Sequence, residues 1–120
     1  MVLNNGTVDG GPNWVDNVND SPIIADPDKK LYYRQPHFYA MAHFAKFLAP
    51  GSVRINSVVV SQNNSEAIVG AFRTAQNDGT VVIFVNNDDT NLRLTLEDTK
   101  KGTHIGLIEA RSIVTYVYYD

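Results

Sequence analysis

Gly10-Gly11-Pro12-Asn13-Trp14-Val15, followed by Asp20-Ser21-Pro22-Ile23-Ile24, is the stretch on which the fold turns. Two glycines and a proline permit a tight change of direction, and a tryptophan beside them gives the loop an aromatic anchor. Met1 to Asn4 is too short to stand as a strand and reads as the end of one. Gly6, Gly10, Gly11, Pro12, Pro22 and Pro27 then forbid a long regular element between Asn5 and Lys30. A structureless loop of that length is uncommon and is usually functional. Beyond it, Pro36 suits the first position of a helix, where its missing N–H has no partner to lose. The helix is expected to run to about Leu48, before Pro50-Gly51.

That helix is apolar around more than half its circumference. At ~100° per residue, Phe38, Met41, Ala42, Ala45 and Leu48 share one face. Ala40, Phe44 and Phe47 widen it, leaving Tyr39, His43 and Lys46 on a narrow polar arc. Such a helix must pack against two bodies.

Downstream of Pro50 the pattern changes. No proline follows, and strand signals recur at Val53–Ser61, Ala67–Arg73, Val81–Asn86, Leu92–Leu96, Ile105–Glu109 and Ile113–Tyr119. Leu92-Arg93-Leu94-Thr95-Leu96 alternates strictly, so one of its faces meets water. Val81-Val82-Ile83-Phe84-Val85 is continuously apolar, as a strand buried on both faces would be. Asn77-Asp78-Gly79 supplies a hairpin turn in which Gly79 is expected to take the positive φ. Six short strands at this spacing predict an antiparallel sandwich.

Composition narrows the class of function. With 43% hydrophobic and 19% charged residues and a net charge of −3, the chain has the make-up of a globular protein. Its lysines and arginines are scattered, which argues against a nucleic-acid partner. No apolar run approaches the ~20 residues of a membrane span, and Met1-Val2-Leu3 runs at once into Asn4-Asn5-Gly6, so no signal-peptide apolar region is expected. Cysteine is absent from the sequence, which removes disulfides, thiolate metal sites and thiol nucleophiles together. Asn5-Gly6-Thr7 and Asn63-Asn64-Ser65 are N-glycosylation sequons, with Asn5 and Asn63 as acceptors.

The chemistry open to these residues is limited. Glycoside hydrolysis uses two carboxyl groups flanking the scissile bond. The three glutamates, Glu66, Glu97 and Glu109, sit at or beside strand ends and read as solvated rim residues. Asp9, Asp16, Asp20, Asp26 and Asp28 cluster in the loop; a Ca²⁺ site or an acid/base pair is one reading, and turn-holding hydrogen bonds to backbone N–H groups are the preferred one. His37, His43 and His104 lack metal-ligand spacing, so neither metal nor cofactor is expected. His43 reads as a packed or capping residue. The alternation in Tyr116-Val117-Tyr118-Tyr119 suits either a sugar-stacking strip or, preferentially, a sheet face closing the sandwich.

The same loop resembles the last strand-to-helix loop of the glucosylceramidases, β-glucosidases of glycoside hydrolase family thirty. The resemblance continues through Tyr33-Arg34-Gln35-Pro36-His37-Phe38-Tyr39, His43-Phe44-Ala45-Lys46-Phe47, Pro50-Gly51-Ser52 and Val59-Val60-Ser61-Gln62-Asn63 to the tyrosine-rich end. It implies a mixed fold: residues 1–50 as the terminal strand–loop–helix unit of a (β/α)₈ TIM barrel, and residues 51–120 as a β-sandwich domain. Both catalytic glutamates of the family lie upstream, on the fourth and seventh barrel strands, so no catalytic residue is expected here. Barrel active sites are built from the loops at the C-terminal strand ends. By resemblance, Trp14 and Asn17 match the Trp and Asn of the loop bordering the glucose pocket, one to stack on a sugar ring and the other to bond its hydroxyls. A buried loop anchor is the alternative reading of Trp14. The chain departs from the family's best-known member at Asp16 and Val18, which replace a basic residue and an aromatic.

The resemblance further implies a glucosylceramide-type glycolipid substrate for the intact enzyme, cleaved with retention. It implies the missing upstream barrel as a partner, an activator protein and a lipid surface as others, and a lysosomal or secreted location. The rival expectation is a free-standing, non-catalytic β-sandwich module that binds carbohydrate or a protein partner.

Overall fold

The computed structural model describes residues 2–4, 21–60 and 67–120. Trp14 and Asn17, the two sequons at Asn5 and Asn63, Glu66, and Asp9, Asp16 and Asp20 all lie outside the described residues. The chain divides into two compact units, Met1–Phe44 and Ala45–Asp120.

The first unit holds a three-stranded sheet. β1 (Val2–Asn4) runs parallel to β2 (Ile23–Asp26), which forms an antiparallel hairpin with β3 (Leu31–Arg34). The hairpin corrects the expectation of an unbroken loop to Lys30. Pro22 and Pro27 flank β2 instead of interrupting it, so neither removes a ladder donor from the strand interior. Asp26 closes the turn: its Oδ1 accepts the Lys29 N–H at 3.1 Å and its Oδ2 accepts Lys29 Nζ at 2.9 Å. This nearly buried carboxylate (4% exposed) plays the turn-holding part expected of the loop aspartates. Lys30 completes the reversal with φ of 54°.

Gln35 N–H then bonds to Pro22 O at 3.0 Å and Phe38 N–H to Gln35 O at 2.9 Å, leading into α1 (Pro36–Ala45). The helix starts at Pro36 as expected but stops three residues before Leu48. Lys46 and Phe47 form a turn, and Gly51 takes φ of 94°. No residue of α1 is buried, and Tyr39, Met41 and Phe44 are exposed along it.

The second unit is built around one strand. The main sheet is antiparallel in the order β4 (Val53–Ile55), β5 (Ile68–Arg73), β6 (Gly79–Asn86), β9 (Ser112–Tyr119). β7 (Leu92–Asp98) and β8 (Gly102–Ile108) form a separate two-stranded hairpin. As its unbroken apolar run requires, β6 is buried on both faces, with Val81, Val82, Ile83 and Phe84 at 1%, 2%, 2% and 4% exposure. Its even-numbered face, with Ala71 and Ile108, forms a core onto which Val69, Leu92, Leu94, Leu96, Val114, Tyr116 and Tyr118 pack. The alternation in β7 is realised: Leu92, Leu94 and Leu96 turn inward while Arg93, Thr95 and Glu97 are exposed.

Two expectations for this unit need correction. The first strand is short: pairing with β5 ends at Ile55↔Ala71, and the three valines Val58, Val59 and Val60 are exposed outside any strand. β-branched residues make a strand only where a neighbour completes the ladder. The second concerns the β5–β6 turn, where Asn77, with φ of 59°, carries the positive dihedral. Thr74 Oγ1 accepts the N–H groups of Asp78 (3.1 Å) and Gly79 (3.0 Å). Gly79 is needed for a different reason. A Cβ there would lie 2.9 Å from the Tyr118 carbonyl oxygen and 2.9 Å from the Tyr119 ring.

Gly79 and Gly102, at the turns of two hairpins of this unit, should therefore respond differently to alanine. Gly79→Ala is expected to destabilise by about 1–3 kcal/mol, since backbone must move, and Gly102→Ala, strained only in φ, by about 1 kcal/mol. Urea denaturation of both variants checks the ranking.

Candidate functional site

In the first unit the polar and aromatic groups gather where β3 meets α1. Strand alternation places Tyr32 and Arg34 on one side of β3, and the first helical turn brings up Phe38. The Arg34 guanidinium carbon stands 5.6 Å from the Tyr32 ring centre and 5.0 Å from that of Phe38. Arg34 Nη2 donates to Tyr32 Oη at 3.3 Å, and that hydroxyl raises the guanidinium pKa further. The cluster is an arginine held between two rings by cation–π attraction. His37 and His43 lie on α1, neither beside the other as a chelating pair would be.

In the second unit an open groove of about 310 Å³ follows β8 and β9, lined among others by Leu96, Thr103, His104, Tyr116, Tyr118 and Tyr119. β9 supplies its aromatic wall. Tyr116 meets Phe84 edge-on (5.8 Å between centroids, 86°) and His104 at 5.0 Å and 60°. The Tyr116 hydroxyl lies against Gly106, where a Cβ would collide with it. Tyr116 and Tyr118 thus close the sandwich, the preferred reading of this tyrosine run, and Tyr119 alone of the three is exposed.

A second depression, of about 290 Å³, joins the groove at Asp98 and Lys101 and is rimmed by Arg73, Lys100 and Asp120. The charges here are engaged with one another. Arg73 donates to Asp120 through both terminal nitrogens, to Asn77 Oδ1 at 2.8 Å and to Thr80 Oγ1 at 3.2 Å. Lys101 Nζ stands 3.6 Å from Asp120 Oδ1. Asp98 Oδ1 accepts the N–H groups of Lys100 (2.8 Å) and Lys101 (3.0 Å), and its Oδ2 accepts the Tyr118 hydroxyl at 2.9 Å. A carboxylate with both oxygens so occupied is a poor base. Glu97 and Glu109 are exposed on the hairpin. Among the described residues no three His, Asp or Glu side chains gather as a metal site.

Sequence reasoning passed over Asp98 and Tyr118 as a pair. An aspartate placed two and three residues before backbone donors in Asp98-Thr99-Lys100-Lys101-Gly102 is the signal that could have found the turn. Its tie to Tyr118, twenty residues on, has no local signature. Gly106→Ala is expected to displace the Tyr116 ring, lowering the thermal midpoint and altering the near-UV circular dichroism of the tyrosines. Gly102→Ala, whose Cβ would meet open space, should leave that spectrum unchanged.

Comparison with known proteins places these two units in a single family. Residues 1–48 match the glycosyl hydrolase family 30 TIM-barrel domain, and residues 51–116 match the family's β-sandwich domain. The lysosomal acid glucosylceramidase of Mus musculus is 39% identical over 111 residues, covering 92% of this chain and 21% of the relative. Putative glucosylceramidase 2 of Caenorhabditis elegans is 40% identical over 94 residues, covering 78% of this chain and 18% of the relative. The chain thus spans about a fifth of the length of these curated relatives. Among solved structures, SrfJ from Salmonella typhimurium superposes with a TM-score of 0.85 at 22% identity, over 99% of this chain and 25% of that one. The endo-β1,6-glucanase BT3312 gives 0.80 at 22% identity, over 99% and 26%. With one family model matching its first part and another more than half its length, the chain belongs to glycosyl hydrolase family 30, as a TIM-barrel end followed by a β-sandwich.

Proposed function

We propose that this chain is the C-terminal portion of a retaining β-glucosidase that hydrolyses glucosylceramide to glucose and ceramide. The observation that carries the reading is the unbroken order of barrel end and sandwich, together with 39% identity across 92% of the chain to a protein named a lysosomal acid glucosylceramidase. Residues 1–50 serve as the last βα unit of the barrel and residues 51–120 as the flanking sandwich. The catalytic carboxylates belong to upstream barrel strands, where two glutamates ~5–5.5 Å apart act as nucleophile and acid/base.

In this reading the chain contributes a wall of the sugar pocket. Trp14 stacks on the apolar face of the glucose and the Asn17 amide bonds its hydroxyls. The missing barrel strands cover α1, whose exposed Tyr39, Met41 and Phe44 are otherwise a large apolar surface to leave in water. Kinship with glucosylceramidases supports reading a glycolipid as the substrate and the lysosome as the location, and the same reading includes an activator protein and a lipid surface as partners. Sugar modification at Asn5 and Asn63 fits a secretory route.

Reconstitution tests the proposal. The chain alone should not hydrolyse a fluorogenic β-glucoside, and joining it to the upstream barrel of a glucosylceramidase should restore turnover. In that assembly Trp14→Ala and Asn17→Ala are each expected to lower kcat/KM by roughly 10–100-fold, the loss of one stacking or hydrogen-bonding contact in the transition state. Saturable glucoside binding by a monomeric chain, with no gain on adding the barrel, would instead favour a free-standing binding module.

A further inference from the structure

The β7–β8 hairpin is fastened to the main sheet at both ends, by two chemically different devices. At its base, where Leu92 pairs with Ile108, the buried part of the fastening is a side-chain amide. Asn86, the last residue of β6 and 1% exposed, donates from Nδ2 to Thr90 O at 2.9 Å and Glu109 O at 2.8 Å, and its Oδ1 accepts the Asp88 N–H at 2.9 Å. Ala110 N–H adds a bond to Asn91 Oδ1 at 2.9 Å. An amide does not titrate, and the Asp89–Arg111 pair beside it, at 2.7 Å, is exposed on both partners, so its loss in acid changes this end little.

At the tip, where Asp98 pairs with Gly102, the fastening is ionic. One carboxylate does two things there. Through Oδ1 it shapes the turn, and through Oδ2 it takes the hydroxyl of Tyr118 on β9, across the layer gap. Between the two fastenings hairpin and sheet meet mainly through Leu92, Leu94 and Leu96 on one side and Val114, Tyr116 and Tyr118 on the other, with His104 against the Tyr116 ring.

We propose that Asp98 and Tyr118 form an acid-released latch, so that the sandwich opens from the hairpin tip, ahead of its base, when the carboxylate is protonated. The Lys100 N–H, the Tyr118 hydroxyl and the Lys101 N–H, in that order, hold the Asp98 carboxyl below its usual range. A carboxyl depressed on folding stabilises the fold fully above its unfolded value and loses that contribution as pH falls through the folded one. The latch therefore stays shut at mild acidity and releases only in stronger acid. Burial, reinforced by the Asp98 hydrogen bond, pushes the Tyr118 phenol up, so it remains a donor through neutral and moderately alkaline pH. Other charged groups surround the latch, and Asp120 among them is itself a carboxylate, so the D98N and Y118F variants, not pH alone, isolate the part played by Asp98. Lys100 and Lys101 come from the turn, Asp120 from beyond β9 with Arg73 and Lys101 upon it, and Arg73 from β5. His104 on β8 stands against Tyr116, its ring centre 5.0 Å away.

Hydrogen exchange followed by mass spectrometry on the protein carrying this chain tests the latch, comparing segment 97–104 with segment 86–92 after correction for intrinsic rates. The tip-to-base ratio should be equal at pH 7 and 5, a span that brackets histidine titration, and rise severalfold near pH 3. D98N should show the raised ratio at all three pH values. Y118F, which keeps the turn bonds, should show a smaller rise, about threefold, at pH 7. Tip and base loosening together, a change between pH 7 and 5, or an unaltered tip in D98N would overturn the proposal. Should D98N fail to fold, Y118F at pH 7 decides it: an opened tip supports the latch and an unchanged tip refutes it.

Discussion

Removal of β6 from water on both faces is the constraint on which the second unit rests. A strand with four consecutive residues almost without exposure needs a neighbour on each edge and a cover over each face. β5 and β9 supply the edges in full antiparallel register. The hairpin covers the face that carries Val82 and Phe84. Close approach follows from the same demand, because Gly79 and Gly106 let the Tyr118 backbone and the Tyr116 ring come nearer than any side chain would allow. The polar bonds at the two ends of the hairpin then select one placement of a cover that apolar contact alone would leave free to slide.

Legibility followed the range of the interactions. The continuous run in β6 and the alternation in β7 were readable because burial on two faces or one imprints directly on neighbouring residues. The start of α1 at Pro36 was readable for the same local reason. The β2–β3 hairpin was not, because prolines at both ends of a four-residue strand look like loop punctuation, and Asp26 is identified as a turn anchor only once Lys29 folds back onto it. Val53–Ser61 failed in the opposite sense, its β propensity being strong and its pairing confined to three residues. In the Asn77-Asp78-Gly79 turn the residue types were right and their duties exchanged.

The candidate site was less open to reading than the fold. A motif such as Gly10-Gly11-Pro12-Asn13-Trp14 carries its meaning through likeness to a family, which no local physical pattern supplies. The groove of the second unit could be found only from packing, since the residues that line it come from strands far apart in sequence. Its carboxylates are committed to lysine, arginine, tyrosine and backbone donors. Acid–base chemistry needs groups that can exchange a proton with a substrate, and these hold the framework together.

The place of the hairpin in the chain order has a consequence for how the sandwich assembles. β6 and β9 pair from Asn86↔Ser112 to Gly79↔Tyr119, and the whole of β7–β8 lies in the segment between them. A hairpin closes in microseconds, whereas strands joined through a long segment must first bear the entropy of its closure. If the hairpin forms first, it shortens that segment by tying Leu92 to Ile108, leaving only short links on either side to be ordered. Asn86 then reaches across to Glu109 at the point where both links meet. The order of strands along the chain thus lowers the entropic barrier to the non-local pairing that the central strand requires.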